Sequence, residues 1–379
     1  MKFSTIQSST RVSSKYVRQA LLIISFLSPV FADIGCQHIG PATVTRDRLA
    51  YNEAVLTSWE QQTLLNIVRV RYDDLVGFVD VGTVAQSHTL TGTTQASLGA
   101  SLLPWNLIGN TLMPSLMGTR TTTDNPTITY TPLSGAEFTR NLNAPIKPSE
   151  IFNLIESGYR ADVLLNLTLN SINEIKSVGP DVNLNRPGLT RSNKFRELTE
   201  AIESAHGQSK LNFPVQAGTD GAGAKVFMTI VDNDSPTAQG SSIASIRQSL
   251  HLKAAANQFE IVAGSHPTND AEIAVRTRSP IAAMRWLSNY VQVPEAHLST
   301  RLAPPAKVLV TQDDRPLNVH WSIKKPRGVF AAVQYRDYWF WIPDGDRNSK
   351  FSLIYLRILL ALADTAARPA PPVLTIPTR

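Results

Sequence analysis

From residue 43 to 72 apolar side chains return every three or four positions: Leu49, Ala54, Val55, Leu56, Trp59, Leu64, Leu65, Ile67 and Val68. That spacing predicts a helix. Thr45 can cap it, and Asp47 falls in the first turn, where a negative charge suits the helix dipole. Arg69 and Tyr72, three apart, share a face. A short strand is expected at 78–81. From Thr89 to Leu102 the period drops to two. Leu90, Ala96, Leu98, Ala100 and Leu102 fall on one face, and Thr89, Thr91, Thr93, Gln95 and Ser97 on the other, as in a half-buried strand. An apolar tip follows, with Trp105, Leu107 and Ile108, and then a second threonine-rich arm at 119–130. The two arms predict a long Thr/Gly-rich β-hairpin.

Beyond the hairpin the texture is mixed. Residues 126–130 look strand-like, and Ser149 is placed to cap a helix at 150–157 that stops at Gly158. Leu165, Leu167 and Leu169 alternate with Asn166, Thr168 and Asn170, so 163–175 favours a strand. Residues 179–190 read as a loop, 192–206 as a polar helix and 212–224 as a Gly-rich linker. The C-terminal half reads β-α-β: strands at 226–231, 259–262 and 272–276, and helices at 241–250 and 279–290. Strands at 329–334 and 338–342 flank Tyr335-Arg336-Asp337 as a hairpin turn. Residues 351–366, apolar almost all round, predict a buried helix lying across the sheet, and 373–376 an edge strand. The fold class expected is α+β, mixed short strands and helices with the long hairpin. The segments expected are a leader (1–35), an N-terminal helical segment (36–82), a hairpin-bearing α+β region (83–178), a loop, helix and linker (179–224) and a C-terminal α+β domain (225–379).

The leader has its own pattern. Residues 1–32 contain no acidic side chain and carry Lys2, Arg11, Lys15 and Arg18, followed by an apolar run over 20–32. A basic stretch before such a run is the signature of an N-terminal signal peptide, and the run is short of the roughly 20 apolar residues that span a bilayer. Two processing routes are open. Val30-Phe31-Ala32 fits a small-residue cleavage site and would release a chain starting at Asp33. Ile34-Gly35-Cys36 matches the end of a bacterial lipobox, with Asp33 standing where that motif has an aliphatic residue. Cys36 is the only cysteine, which excludes an internal disulfide and a multi-cysteine metal site. Lipidation of Cys36 would explain a lone thiol in an exported chain.

Composition narrows the classes. Of the 379 residues 42% are hydrophobic and 17% charged, which suits a chain with a core. The net charge of +6 shrinks once the leader is removed: a chain from Cys36 keeps 32 of 36 basic and 29 of 30 acidic residues, a net +3. Without a clustered basic face this gives no argument for nucleic acid. Residues 324–327, Lys-Lys-Pro-Arg, read as a turn. Asp344, Asp346 and Asn348 resemble the opening of a calcium loop, but Ser349 and Tyr355 stand where that loop needs Gly and Glu, so helix capping is expected. Gly218 to Lys225 has the wrong spacing for a phosphate loop. The seven histidines show no zinc spacing and there is no Gly-x-Ser-x-Gly elbow. No catalytic residue, metal ligand or cofactor site is assigned. The aromatics of 338–341 are expected to split, Tyr338 and Phe340 on one face and Trp339 and Trp341 on the other.

Four segments carry a resemblance. Cys36-x-x-Ile39-Gly40-Pro41, Arg46-Asp47-Arg48, Leu64-Leu65-Asn66-Ile67-Val68-Arg69-x-Arg71-Tyr72 and Tyr335-Arg336-Asp337-Tyr338-Trp339-Phe340 together resemble a family of uncharacterised proteobacterial envelope lipoproteins. The resemblance touches both ends and residues 126–170, and implies a place in the cell envelope but no activity. The expectation is a lipid-anchored, non-enzymatic protein of the outer membrane or the periplasmic face, binding other envelope proteins or itself. Two alternatives stand beside it. One is an exported hydrolase-like enzyme. The other is an oligomeric protein whose uncharged hairpin inserts in a membrane, with Trp105, Leu107 and Ile108 making the contact.

Overall fold

The computed structural model describes residues 39–99, 113–180, 189–217, 223–231, 242–305, 308–309 and 315–363. Cys36, Trp105, Leu107, Ile108 and the edge strand expected at 373–376 lie outside them. The chain divides into two compact units, one of residues 1–53 and 87–125, the other of 54–86 and 126–379.

The first unit holds the opening of helix α1 (Ile39–Arg71) and the outer parts of strands β1 (Val79–Gly99) and β2 (Met113–Pro132), which pair as a two-stranded sheet. Pro41 sits in the first turn of α1, where its missing N–H breaks no helical bond. The short strand expected at 78–81 is the start of β1, which runs on without a break.

In the second unit α1 buries Leu64, Ile67 and Val68. Its polar side chains are spent on backbone. Asn66 donates Nδ2 to the Gly77 carbonyl at 2.7 Å and accepts from the Gly77 N–H at 3.1 Å. Gln62, one turn earlier, does the same with Val79, at 2.9 and 2.6 Å. Residues i and i+4 of the helix thus act as a partner strand for the extended segment leading into β1.

Helices α2 (Ala136–Asn143), α3 (Pro148–Glu156) and α4 (Ala161–Thr168) follow. Pro148, not Ser149, opens α3 at its first position, suited to a ring with fixed φ. The strand expected at 163–175 is a helix as far as Thr168. Ala161, Leu164, Leu165, Leu167 and Thr168 are all buried. With six of its eight residues buried the helix has almost no polar face, and its Leu/Asn alternation imitates a strand. The polar members bond back within the turn: Asn166 Nδ2 to the Asp162 carbonyl at 2.7 Å, and Thr168 Oγ1 to the Leu164 carbonyl at 2.7 Å.

The main sheet has seven strands. β3 (Leu169–Ile172), β4 (Ile175–Lys176), β7 (Leu211–Asn212), β9 (Lys225–Ile230), β10 (Gln258–Ala263) and β11 (Glu272–Thr277) run in the order β4-β3-β11-β10-β9-β7, and β8 (Val215–Gln216) also pairs with β9. β8 lies in the stretch expected as linker, and β7 ends on its first residue. The β9 residues Val226, Met228 and Ile230 are buried, as are Phe259 and Ile261 of β10, so one face meets the core. Helix α3 and helix α5 (Asn193–Gly207), capped by Ser192, pack there. Helix α6 (Ser242–Leu250) leads to β10. β10 and β11 are parallel yet joined by the loop 264–271, which holds no helix. Glu272 secures that loop, accepting from the Thr268 N–H at 2.9 Å and from Asn269 Nδ2 at 3.1 Å.

Two small sheets complete the body. β5 (Val178–Pro180) pairs with β6 (Leu189–Arg191), which also pairs with β12 (Val308–Leu309), so that β5 and β6 flank the expected break. β13 (His320–Ser322), β14 (Val329–Tyr335) and β15 (Tyr338–Pro343) form an antiparallel sheet with Ala331, Val333, Phe340 and Ile342 in the core. Trp339, Trp341 and Tyr338 are half-buried. The turn is at Arg336 (φ 45°) and Asp337 (φ 68°), the left-handed pair of a type I′ hairpin. Helix α7 (Pro280–Ser288) is capped by Ser279, and α8 (Glu295–Ser299) is a single turn. The last helix, α9 (Arg347–Ala363), is buried against helices α2, α4 and α7, not across a sheet. Asp346 caps it, accepting from the Ser349 N–H at 3.1 Å and from Ser349 Oγ at 2.6 Å, and Asp344 pairs with Lys350 at 2.6 Å. The class is α+β, as the mixed pattern implied.

Candidate functional site

A cleft of about 1060 Å³ opens in the second unit, between the end of α1, the β3–β4 turn, the end of β11 and α7. Its lining carries five cations, Arg71, Lys176, Arg276, Arg278 and Arg285, against Asp73 and Glu174. Each cation has a local reason for its place. Arg71 ends α1, where a positive charge suits the helix dipole. Arg276 and Arg278 would share a face in a regular strand. The register between β11 and β3 shifts between Arg276 and Thr277, so Arg276 stays exposed while Arg278 turns inward. Lys176 is on β4, and Arg285 stands on the exposed side of α7.

The two deep arginines are 6% (Arg71) and 4% (Arg278) exposed. Arg278 donates Nη1 to the Asn166 and Leu167 carbonyls at 2.7 and 3.0 Å and Nη2 to Ser177 Oγ at 2.7 Å. Its guanidinium lies 4.8 Å from the centre of the Trp286 ring. All these partners are neutral. Burial pushes its pKa down to about 10, so it stays charged at neutral pH. Arg71 donates Nη1 to the Pro304 carbonyl, and its Nε has no partner. Burial pushes its pKa down too, opposed by the neighbouring charges of Tyr72 and Asp73. Among the described residues none of the five cations makes an ion pair. Buried charge normally sits beside a counter-charge or becomes costly. Trp286 Nε1, on the same wall, is a second buried donor without an acceptor.

The cleft also has a His–carboxylate pair at its margin: His266 Nδ1 lies 3.6 Å from Glu174 Oε1, with both side chains mostly exposed, 72% and 82%. Ser265 neighbours it. Ser177 accepts from Arg278 and Ser288 Oγ donates to the Arg285 carbonyl at 2.8 Å. No described serine hydroxyl bonds to His266. What the cleft offers chemically is positive charge and N–H donors.

Beside it, the two most distinctive sequence segments meet. Tyr72 Oη is 2.8 Å from His297 Nδ1, and its ring contacts those of His297, Tyr335 and Phe340 edge-on at 5.6, 5.3 and 6.1 Å. Asp74 accepts from Tyr335 Oη and from Arg336 Nη2, the latter at 2.9 Å. Those two hydrogen bonds hold the Asp74 carboxyl below its ordinary pKa. The α1 motif and the β14–β15 turn are therefore structural partners.

The sequence singled out none of the cleft residues except Arg71, which stood inside the α1 motif. Comparison with protein-family models, with characterised proteins and with solved structures finds no match to this chain. The described part contains no helix long and apolar enough to cross a membrane, and no cluster of three or more His, Cys, Asp or Glu side chains able to hold a metal ion.

Proposed function

We propose that this is an exported cell-envelope protein, tethered to the outer membrane or the periplasmic face by lipid on Cys36, whose body has a binding or assembly role. The observation that carries the reading is the sequence of an acid-free basic leader, an apolar run and, four residues beyond it, the only cysteine in the chain. Stable anchoring takes more than one acyl chain, which bacterial lipid modification of such a cysteine supplies. The α1 and 335–340 motifs add support through their resemblance to envelope lipoproteins. Other envelope proteins or a second copy of the chain are the partners this implies.

Mass spectrometry of the mature N-terminus from native membranes tests it. A diacylglyceryl-modified Cys36 is expected; an unmodified chain starting at Asp33 would overturn the anchor. A hydrolase reading is favoured by one observation, the His266–Glu174 contact at 3.6 Å beside Ser265. Against it, that pair is exposed and has no described hydroxyl to activate. The membrane-inserting reading rests on the alternating, nearly uncharged arms of β1 and β2, with Trp105, Leu107 and Ile108 between them. Deleting 89–128 should abolish any detergent-resistant oligomer; an intact protein that never forms one refutes it.

A further inference from the structure

We infer that the cleft between α1, β11 and α7 binds a phosphate-bearing ligand, with Arg71 and Arg278 at its floor and Lys176, Arg276 and Arg285 at its rim. The inference deepens the binding role proposed above and does not depend on the lipid anchor. Three observations converge on it. First, two guanidiniums more than nine-tenths buried have only neutral partners. Arg71 uses Nη1 alone; neither its Nη2 nor its Nε meets a described acceptor. Second, the three rim cations converge from a strand, the neighbouring sheet edge and a helix, and none is paired. Unpaired like charges repel, so this arrangement costs stability until an anion enters. Third, the space of about 1060 Å³ is at the upper end of what small-molecule sites occupy, so it takes a ligand larger than one phosphate group.

The guanidinium fork matches both phosphate and carboxylate oxygens. The charge favours phosphate. Five cations against the two carboxylates of Asp73 and Glu174 leave a local excess of three. A phosphomonoester carries close to −2 at neutral pH and a diphosphate more. One such group neutralises what would take two or three carboxylates. A soluble phosphate monoester or diphosphate and the monoester headgroup of phosphatidic acid share this chemistry.

The test uses the full chain, purified in mild detergent, at fixed ionic strength. Inorganic pyrophosphate is titrated by calorimetry and by thermal unfolding, and vesicles containing phosphatidic acid are tested by co-sedimentation. The informative variant is Arg276→Gln with Arg285→Gln, because both side chains are exposed and unpaired and the fold does not need them. Lys147→Gln, on an exposed lysine outside the cleft, is the control. Saturable pyrophosphate binding is expected, weakened about tenfold or more in the double variant and unchanged in the control. The double variant without ligand should melt at a higher temperature than the parent, because it removes repulsion. Vesicle binding lost in the double variant would identify the headgroup as the source; pyrophosphate binding without vesicle binding would identify a soluble ester. Absence of saturable binding to either probe overturns the inference, as does equal weakening in Lys147→Gln. Neither outcome bears on whether Cys36 is lipidated.

Discussion

Replacing Asn173 by Ala isolates a single side chain that ties three elements. Asn173 sits in the β3–β4 turn at φ 48°, in the left-handed region that a residue with Cβ adopts only at a cost. Its Oδ1 accepts from the Ala274 N–H of β11 at 2.8 Å, and its Nδ2 donates to the Leu250 carbonyl at the end of α6 at 3.1 Å. The residue is buried. Alanine keeps the awkward φ without the short polar side chain that tolerates it, for about 1 kcal/mol. The Ala274 N–H loses that acceptor inside the sheet, for about 1–3 kcal/mol, and the Leu250 carbonyl loses a bond worth about 1 kcal/mol. Together Asn173→Ala should cost about 3–5 kcal/mol, a large share of the stability of an ordinary domain. Asn173→Gly relieves φ but not the lost bonds, so it should fall between parent and alanine variant. Equilibrium unfolding in urea, followed by tryptophan fluorescence, gives both values. A loss below about 1 kcal/mol for Asn173→Ala at unchanged m-value would refute the reasoning. Glycine no better than alanine would show that the backbone conformation contributes nothing.

Other outcomes follow from the same geometry. Phe340→Ala removes a fully buried ring between Tyr72 and the small C-terminal sheet and should cost about 3–5 kcal/mol by denaturant unfolding. Burial raises the Asp346 pKa, but hydrogen bonds from the Ser349 hydroxyl and N–H and from Asn318 outweigh it and hold it below the ordinary value. Its capping contribution is thus present above the unfolded pKa of about 4 and lost as pH falls through the depressed folded value. Asp346→Asn should destabilise at pH 7 and converge on the parent as pH falls through the depressed folded value, as read from paired unfolding curves. Asp337→Gly relieves a left-handed non-glycine residue in the type I′ turn and should raise stability by about 0.5 kcal/mol in a thermal melt. Arg336→Gln breaks a half-exposed pair with Asp74 and should cost less than about 1 kcal/mol, decreasing further in salt.

Much of the body could be read before folding wherever a segment carries its own period and its own stop. The 329–342 hairpin alternates and turns on Arg336-Asp337, and α5 announces itself with Ser192. The helix at 161–168 could not be read, because periodicity reports only the contrast between a wet and a dry face, and α4 keeps only Asp162 and Val163 half-buried against six buried residues. The stretch expected as linker and its edge hide β8 and β7, two residues each, too short to show alternation. The cleft was invisible for another reason. Arg71, Lys176 and Arg285 are far apart in the chain, and only the pairing of β3 with β11 and the end of α1 bring them together. A faint trace existed: Arg276 and Arg278 stand at the end of a strand with no acidic residue between Glu272 and Glu295.

The β3–β11 pairing also governs when this body can form. Ser171 meets Arg276 across the seam, so the sheet closes a loop on the order of 100 residues, at roughly 4 kcal/mol of lost chain freedom before any contact compensates. The contact between Tyr72 and Tyr335 spans more chain still. A polypeptide emerging from the ribosome holds only half of each pair until its C-terminal third has been made. Such a chain should collapse late and slowly. On the export route proposed above, that delay would keep the nascent chain, its sheet incomplete, threadable until the far side of the membrane is reached.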